Sequence, residues 1–383
     1  MQNIATLDIF IISLYFVAIM AAGFWVSRRK EESSSSYFLA GRNVGWFAIG
    51  TSLFATNISS EHFVGLAGSG AARGLAVGNF EWLAIIFVIL LGWVFAPIYL
   101  KSGVYTLPEL MEKRFNASSR IYLAGISIMT YMFTKVAVTI LAGGLLLEKF
   151  LGWDVYTSAV VMIVLTGIYT VVGGLSAVVY TSVVQAFVLI GGAALLTVVG
   201  LNEVGGLEAL RQQLPADYFS MVKPVSDPDF PWTGILFGAP ILGIWYWCTD
   251  QYMVQRVLGA KSISHARTGT ILTGFLKVLP VFIMVLPGMI AVALFPDISG
   301  DEAYPMMVAS SLLPAGIRGL VIAGLLAALM SSLAGSFHST STLITMDYYR
   351  MVNPAASERK LVLVGRLSTT IIVITAILWV PLT

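Results

Sequence analysis

Ten apolar stretches, each close to the length of a membrane crossing and separated by short polar connectors, leave this chain one environment and one kind of secondary structure. They run over residues 5–26, 44–70, 76–99, 119–147, 155–172, 178–201, 231–253, 268–295, 315–346 and 361–380. About twenty apolar residues in a helix cross the hydrocarbon core of a bilayer. At that depth a helix satisfies every backbone polar group within itself, which a lone strand cannot do. Hydrophobic residues make up 57% of the 383 and charged residues 11%, against about 25% charged in soluble domains. Mean hydropathy is +0.86. The water-soluble classes are excluded, and the expected fold is an all-α membrane protein forming one transporter domain over 1–383, with lipid around it. The first stretch is too long for a signal-peptide core and has no basic region ahead of it, so it reads as a retained helix.

Lys and Arg orient the spans. Fifteen lie in one set of alternate connectors (28–42, 101–120, 256–267 and 350–366) and five in the other, Arg73, Lys149, Arg211, Lys223 and Arg318; with Lys135 and Lys277 inside helices these account for all 22. The richer set is expected to be cytoplasmic, which places the N-terminus outside a cell membrane crossed many times. No basic cluster suggests nucleic acid. Lone Cys248 excludes an intrachain disulfide. Nothing in the sequence signals an oligomeric state.

Two spans are not written as clean helices. The second contains Gly50 to Gly70 with a polar middle, Thr56, Asn57, Ser59, Ser60, Glu61 and His62. A carboxylate and an imidazole are costly in lipid and should face a cavity or a partner. The alternative is a continuous, kinked helix whose hydroxyls bond to their own turn. The seventh span, 231–253, carries Gly234, Gly238, Pro240 and Gly243 in its middle, where a break is expected. Leaving out the first helix, the two broken spans are first and sixth of the rest. Paired breaks at corresponding positions point to an inverted repeat with a binding site between its halves. The repeats would be 44–201 and 231–380. A five-plus-five repeat needs ten helices after the first, and nine are counted. The chain ends on Pro381-Leu382-Thr383 with no polar tail, so a second repeat lacking its last helix is expected.

Glu81 and Lys277 are isolated charges within apolar helices. If the repeats face each other, Glu81, His62 and Lys277 converge on one cavity suited to a neutral polyhydroxyl solute, since each hydroxyl both donates and accepts. A purely structural Glu81–Lys277 pair is the alternative. Trp245, Tyr246 and Trp247 offer rings for the apolar face of a sugar or for a thin gate; as a membrane-interface cluster they would need no site. Ser331 and Ser332, with carbonyls freed at the second span, would form a neutral oxygen site for Na+; small residues easing helix packing are the competing explanation. Lys135 is expected to pair or snorkel, Asp250 to serve the broken helix, and His338 to be a polar helix residue. No phosphate-binding loop, HExxH, CxxC or GxSxG occurs, so the chain is expected not to be an enzyme.

Three stretches carry a resemblance: NISSEHFVGLAGSGAARGLAVGNFEW (57–82), GGLSAVVYTSVVQ (173–185), and WYWCTDQYMVQRVLGAKSISHARTG (245–269) followed by LMSSLAGSFHSTSTLITMDYY (329–349). In these the chain resembles the sodium/solute symporters, within them the sodium/glucose cotransporter branch. The resemblance implies a leucine-transporter-like five-plus-five inverted repeat with an extra N-terminal helix. It implies a Na+ site from the carbonyls of Ala55, Ile58 and Ala328 and the hydroxyls of Ser331 and Ser332. It implies solute contacts from Asn57, His62, Glu81 and Lys277, with Trp247 near the sugar and Tyr246 as inner gate. Leu66 and Phe80 match an outer gate. Gly243 stands where relatives place Asn, Ser or Thr facing the sugar. Ser182 stands where many relatives place Asp, which favours one Na+ per solute.

The expected function is therefore Na+-driven uptake of a glucose- or galactose-like sugar by alternating access. The alternatives are symport of another solute such as myo-inositol, an uncoupled channel, and a sensor with a transporter-like body. A channel would show repeated carbonyl or charged rings, which the asymmetric Glu81, Lys277 and Trp247 do not form.

Overall fold

The computed structural model describes residues 4–28 and 33–382. Arg29 and Lys30, two of the basic residues assigned to the cytoplasmic connectors, and Thr383 lie outside the described residues. Among the described residues the fold is helical, and seven helices are long and apolar enough to cross a membrane. These seven hold nine of the ten expected spans, because two of them fold back on themselves.

The helix Val155–Val204 is continuous by hydrogen bonding but departs from helical geometry at Gly174 (φ 49, ψ −146). Tyr169 Cβ and Thr181 Cγ2 lie 2.7 and 3.7 Å from where a Cβ on Gly23 would sit. In a straight helix those two residues would be about 18 Å apart. The chain therefore reverses at Gly174 and makes two antiparallel spans. A second reversal falls at Gly74–Gly78, where Gly74 has φ +72. It brings His62 Nε2 within 3.4 Å of Glu81 Oε1, a separation of about 28 Å along an unbroken helix. The tenth span is the seventh in order, which is too short and too irregular to count by length: Gly234–Thr249 followed by Gln251–Leu258.

The second span is broken where the polar residues stand. Trp46–Asn57 ends at Ile58 (φ −71, ψ 120), and the helix resumes at Glu61. In the seventh span the break does not fall among Gly234, Gly238, Pro240 and Gly243, which all lie within helical turns. It falls at Asp250 (φ −77, ψ 121), after the aromatic run rather than before it. Pro240 stands where the widened turn Gly234–Gly238 meets the α-helix Ala239–Ile244, and such a bulge accommodates its missing N–H. Asp250 instead accepts from the Tyr252 N–H at 3.1 Å and so starts the next half-helix. The two breaks share nearly the same extended conformation.

At the centre lies Ile317–Leu343, with nearly every side chain buried. The first helix, Thr6–Ser27, packs against it and against Val155–Val204. Asp8, fully buried, accepts from the Gly316 and Gly319 N–H groups at 2.7 and 2.8 Å. One helix thus caps the N-terminus of another. Replacing Asp8 with Ala should cost about 1–2 kcal/mol, read as a lower unfolding temperature in detergent; an unchanged temperature would show that the cap adds nothing.

The connector 205–233 is pinned over the reversal at Gly74–Gly78. Arg73 pairs with Asp227 at 3.0 Å and Asp229 at 2.8 Å, and Asn79 Nδ2 donates to the Met221 carbonyl at 2.6 Å. The Phe230 N–H, with the Asp229 N–H and Arg73 adding to it, holds the Asp227 carboxyl below its ordinary range.

Candidate functional site

The polar residues at the first break satisfy the chain they interrupt. Glu61 N–H donates to Ser59 Oγ at 3.2 Å, and Ser59 N–H donates to His62 Nδ1 at 3.4 Å. An imidazole accepting at Nδ1 carries its proton at Nε2, which faces Glu81 at 3.4 Å. Glu81 also forms an ion pair with Lys277. The Lys277 ammonium donates to Asn57 Oδ1 at 2.7 Å and lies 5.6 Å from the Trp247 ring. Asn57 Nδ2 in turn donates to the Tyr246 hydroxyl at 3.2 Å. Five residues from four spans form one connected network.

This network walls a cavity of about 430 Å³. Asn57, His62, Glu81, Gly243, Tyr246, Trp247 and Phe80 all line it, with Ala84, Phe87 and Lys135. Lys277 does not: it is 1% exposed and sits behind Glu81. It acts on the cavity by holding Glu81 and Asn57, so the wall presents a carboxylate whose charge is already compensated. Leu66 lies one turn beyond His62, in the core, and is not part of the wall. Phe80 is on the wall and meets Phe230 edge-on at 6.2 Å. Of the expected outer-gate pair, only Phe80 borders the cavity.

A Cβ on Gly243 would overlap the Phe87 ring. The space that a polar side chain could use at 243 is taken by an aromatic edge. The cavity wall is therefore apolar there. Ligand pockets typically combine apolar walls with a few placed polar groups in this way.

The other half of the break serves a different cluster. Ser332 Oγ lies 3.1 Å from the Thr56 carbonyl oxygen and 3.4 Å from that of Ile58. Ser331 Oγ is 3.3 Å from Thr56 Oγ1 and 2.8 Å from Ser182 Oγ. Ala55, Ile58, Ala328 and Ser331 are fully buried. The Ser59 N–H, which a continuous helix would give to the Ala55 carbonyl, is turned to His62 Nδ1 instead. That leaves the Ala55 carbonyl without its helical donor at the break. Among the described residues no group of three His, Cys, Asp or Glu side chains could hold a metal ion. Uncharged oxygens of this kind fit a hard, weakly held monovalent cation.

Some contacts go beyond what the sequence singled out. Thr56 supplies both a carbonyl and a hydroxyl to the cluster, and Tyr252 donates to the Thr56 carbonyl at 2.7 Å. Ser182, read as the loss of a carboxylate, is itself a neighbour of Ser331. Lys135 pairs with Asp250 at 2.9 Å and lies 3.7 Å from the Tyr252 ring centre, so its charge is neutralised and caged. Tyr131 also donates to Asp250. The polarity of Thr56 was a usable signal, and Lys135 pairs and Asp250 serves the broken helix as expected; the Tyr252 and Tyr131 contacts are tertiary and left none. His338 stacks on Phe38 with ring centres 6.1 Å apart, outside both clusters.

A family model described as the sodium:solute symporter family matches residues 37–383. The chain is 42% identical to a mouse protein (Mus musculus) named sodium/glucose cotransporter 4, over 98% of this chain and 60% of that one. It is also 42% identical to a human protein (Homo sapiens) named sodium/myo-inositol cotransporter, over 98% and 59%. The chain thus spans about 60% of the length of the curated relatives it matches. A solved structure described as the substrate-bound outward-open state of a Na+-coupled sialic acid symporter superposes with a TM-score of 0.89 at 25% identity, over 98% of this chain and 81% of that one.

Proposed function

The chain belongs to the sodium:solute symporter family, and we propose from that premise that it couples inward Na+ movement to uptake of a sugar by alternating access. One observation carries this reading. Neighbouring residues at a single helix break belong to two different sites. The Asn57 side chain is part of the solute cavity, while the Thr56 and Ile58 carbonyls receive Ser332. An ion drawn between Ile58 and Ser332 fixes the position of Asn57, so one site orders the other.

Lys135 and Lys277 are both paired with carboxylates, so the wall offers no free ammonium to an anionic solute, which favours a neutral one. Glu81, Asn57 and His62 would meet its hydroxyls, and Trp247 and Phe87 its apolar face. Na+ is the coupling cargo. Thr56, Ser331 and Ser332, with Ala55, Ile58 and Ala328, would hold it. The membrane potential supplies about 2.3 kcal/mol per charge per 100 mV, and a tenfold Na+ gradient adds about 1.4 kcal/mol. One Na+ per solute would then sustain a concentration ratio of several hundred. The cycle makes and breaks no bond, so transport rather than catalysis is the proposed activity, with the N-terminus outside the cell.

A second reading, myo-inositol in place of an aldohexose, rests on a relative of that name being as similar as the glucose-named one. Both are tested by uptake of labelled glucose, galactose and myo-inositol into liposomes holding the full-length protein. Uptake should require an inward Na+ gradient and be competed by the preferred solute. Equal uptake with choline in place of Na+ would reject coupling and favour a channel.

A further inference from the structure

Beside the solute cavity lies a second, much smaller chamber of about 30 Å³. It shares Asn57, Glu61, Lys135 and Tyr246 with the large cavity. Its other walls are Ser59, Thr139, Tyr252, Ser332 and Ser336. Ser332 is the same serine that lies against the Thr56 and Ile58 carbonyls. The chamber therefore touches both sites. Its volume suits one water or one stripped monovalent ion and is far too small for a sugar. Five hydroxyl-bearing side chains besides Tyr246 and Glu61 line it.

Glu61 is the residue this arrangement does not otherwise explain. It faces both spaces, and its carboxylate makes no hydrogen bond or ion pair with any described residue. Its N–H alone is used, on Ser59. The nearby Lys135 cannot neutralise it, because Asp250 already holds that ammonium at 2.9 Å. Glu61 is the one carboxylate lining the chamber, and Arg256, the other cation nearby, lies behind the Tyr252 ring at 5.5 Å and forms no ion pair with Glu61. An unpaired carboxylate within a membrane span marks a pathway more often than a scaffold.

We propose that Glu61 and this chamber form a transient site for a monovalent cation, through which Na+ passes from the solute cavity to the Ser331 and Ser332 cluster. Glu61 attracts the ion to the cavity floor, and the hydroxyls of Ser59, Ser336 and Ser332 replace its water in turn. The inference rests on the coupled-transport reading and adds a route for the ion. Asn57 and Tyr246 form the shared wall, so a solute seated against them covers the passage.

The test uses the full-length protein in liposomes, with Na+ association followed by stopped-flow tryptophan fluorescence. Glu61→Gln should slow Na+ association and raise the Na+ half-saturation by about tenfold, more than it changes the solute half-saturation at saturating Na+. Glu61→Asp should recover most of the loss. Unchanged Na+ half-saturation in Glu61→Gln would overturn the proposal. So would a larger effect on the solute, which would make Glu61 a solute ligand. In the unaltered protein, solute added before Na+ should slow Na+ association; no slowing would also overturn it. Wild-type uptake without any Na+ dependence would instead reject the coupled-transport reading itself.

Discussion

Glu81→Ala should cut solute uptake at least about a hundredfold while leaving Na+ binding measurable. Two losses combine. The solute loses a charged acceptor, and such hydrogen bonds are worth about 1.5–3 kcal/mol. Lys277 also loses its counter-ion while 1% exposed, and breaking a buried pair on one side costs about 3–5 kcal/mol. The relieved ammonium would pull on Asn57, with which it already shares a 2.7 Å hydrogen bond. Glu81→Gln separates these contributions, since it keeps an acceptor and removes the charge. Removing both partners, as Glu81→Gln with Lys277→Gln, should be no worse than the more severe single change, because residues in one network are not additive. Binding of labelled solute and labelled sodium, measured separately, gives the answer. Wild-type solute affinity in Glu81→Gln would remove this residue from the binding wall.

Ser332→Ala should raise the Na+ half-saturation at least about tenfold and leave solute uptake at very high Na+ largely recoverable. Its hydroxyl is the contact from the central helix to the Thr56 and Ile58 carbonyls. Without it, an ion at the break keeps only Ser331 and the Ala328 carbonyl from the central helix. Ser331→Ala should act in the same direction and more weakly, because Thr56 Oγ1 and Ser182 Oγ remain nearby. The pattern is opposite to that of Glu81→Ala, so the two variants together distinguish the ion cluster from the solute wall. An unchanged Na+ dependence in Ser332→Ala would reject the cluster as the cation site.

Residues that are expensive in lipid were the ones the sequence made legible. Asn57, His62, Glu81 and Lys277 announced themselves by polarity in apolar surroundings, and the fold does bring them into one network. Ser331 and Ser332 were legible as paired hydroxyls on an otherwise apolar helix. The second break was misplaced for a physical reason: glycine and proline signal where a helix can be weak, whereas this one stops where Asp250 finds partners. Those partners, Tyr131 and Lys135, belong to another span and leave no trace near residue 250. The retreat of Lys277 behind the wall is equally a matter of packing, since sequence locates a charge along a helix but not how far its four-carbon stem reaches. Phe87 in the space beside Gly243 is a steric relation between two helices, visible only once both are placed.

The reversal at Gly174 has a further meaning. Its φ of 49 with ψ of −146 is a conformation that essentially only glycine adopts at low cost. Without that turn the first repeat would make four crossings, an even number, and the second would start on the same face as the first. The two half-helix ends would then point the same way instead of toward each other. The opposed polarity of the two halves, and the shared hollow between them, hang on the parity set by one residue without a side chain.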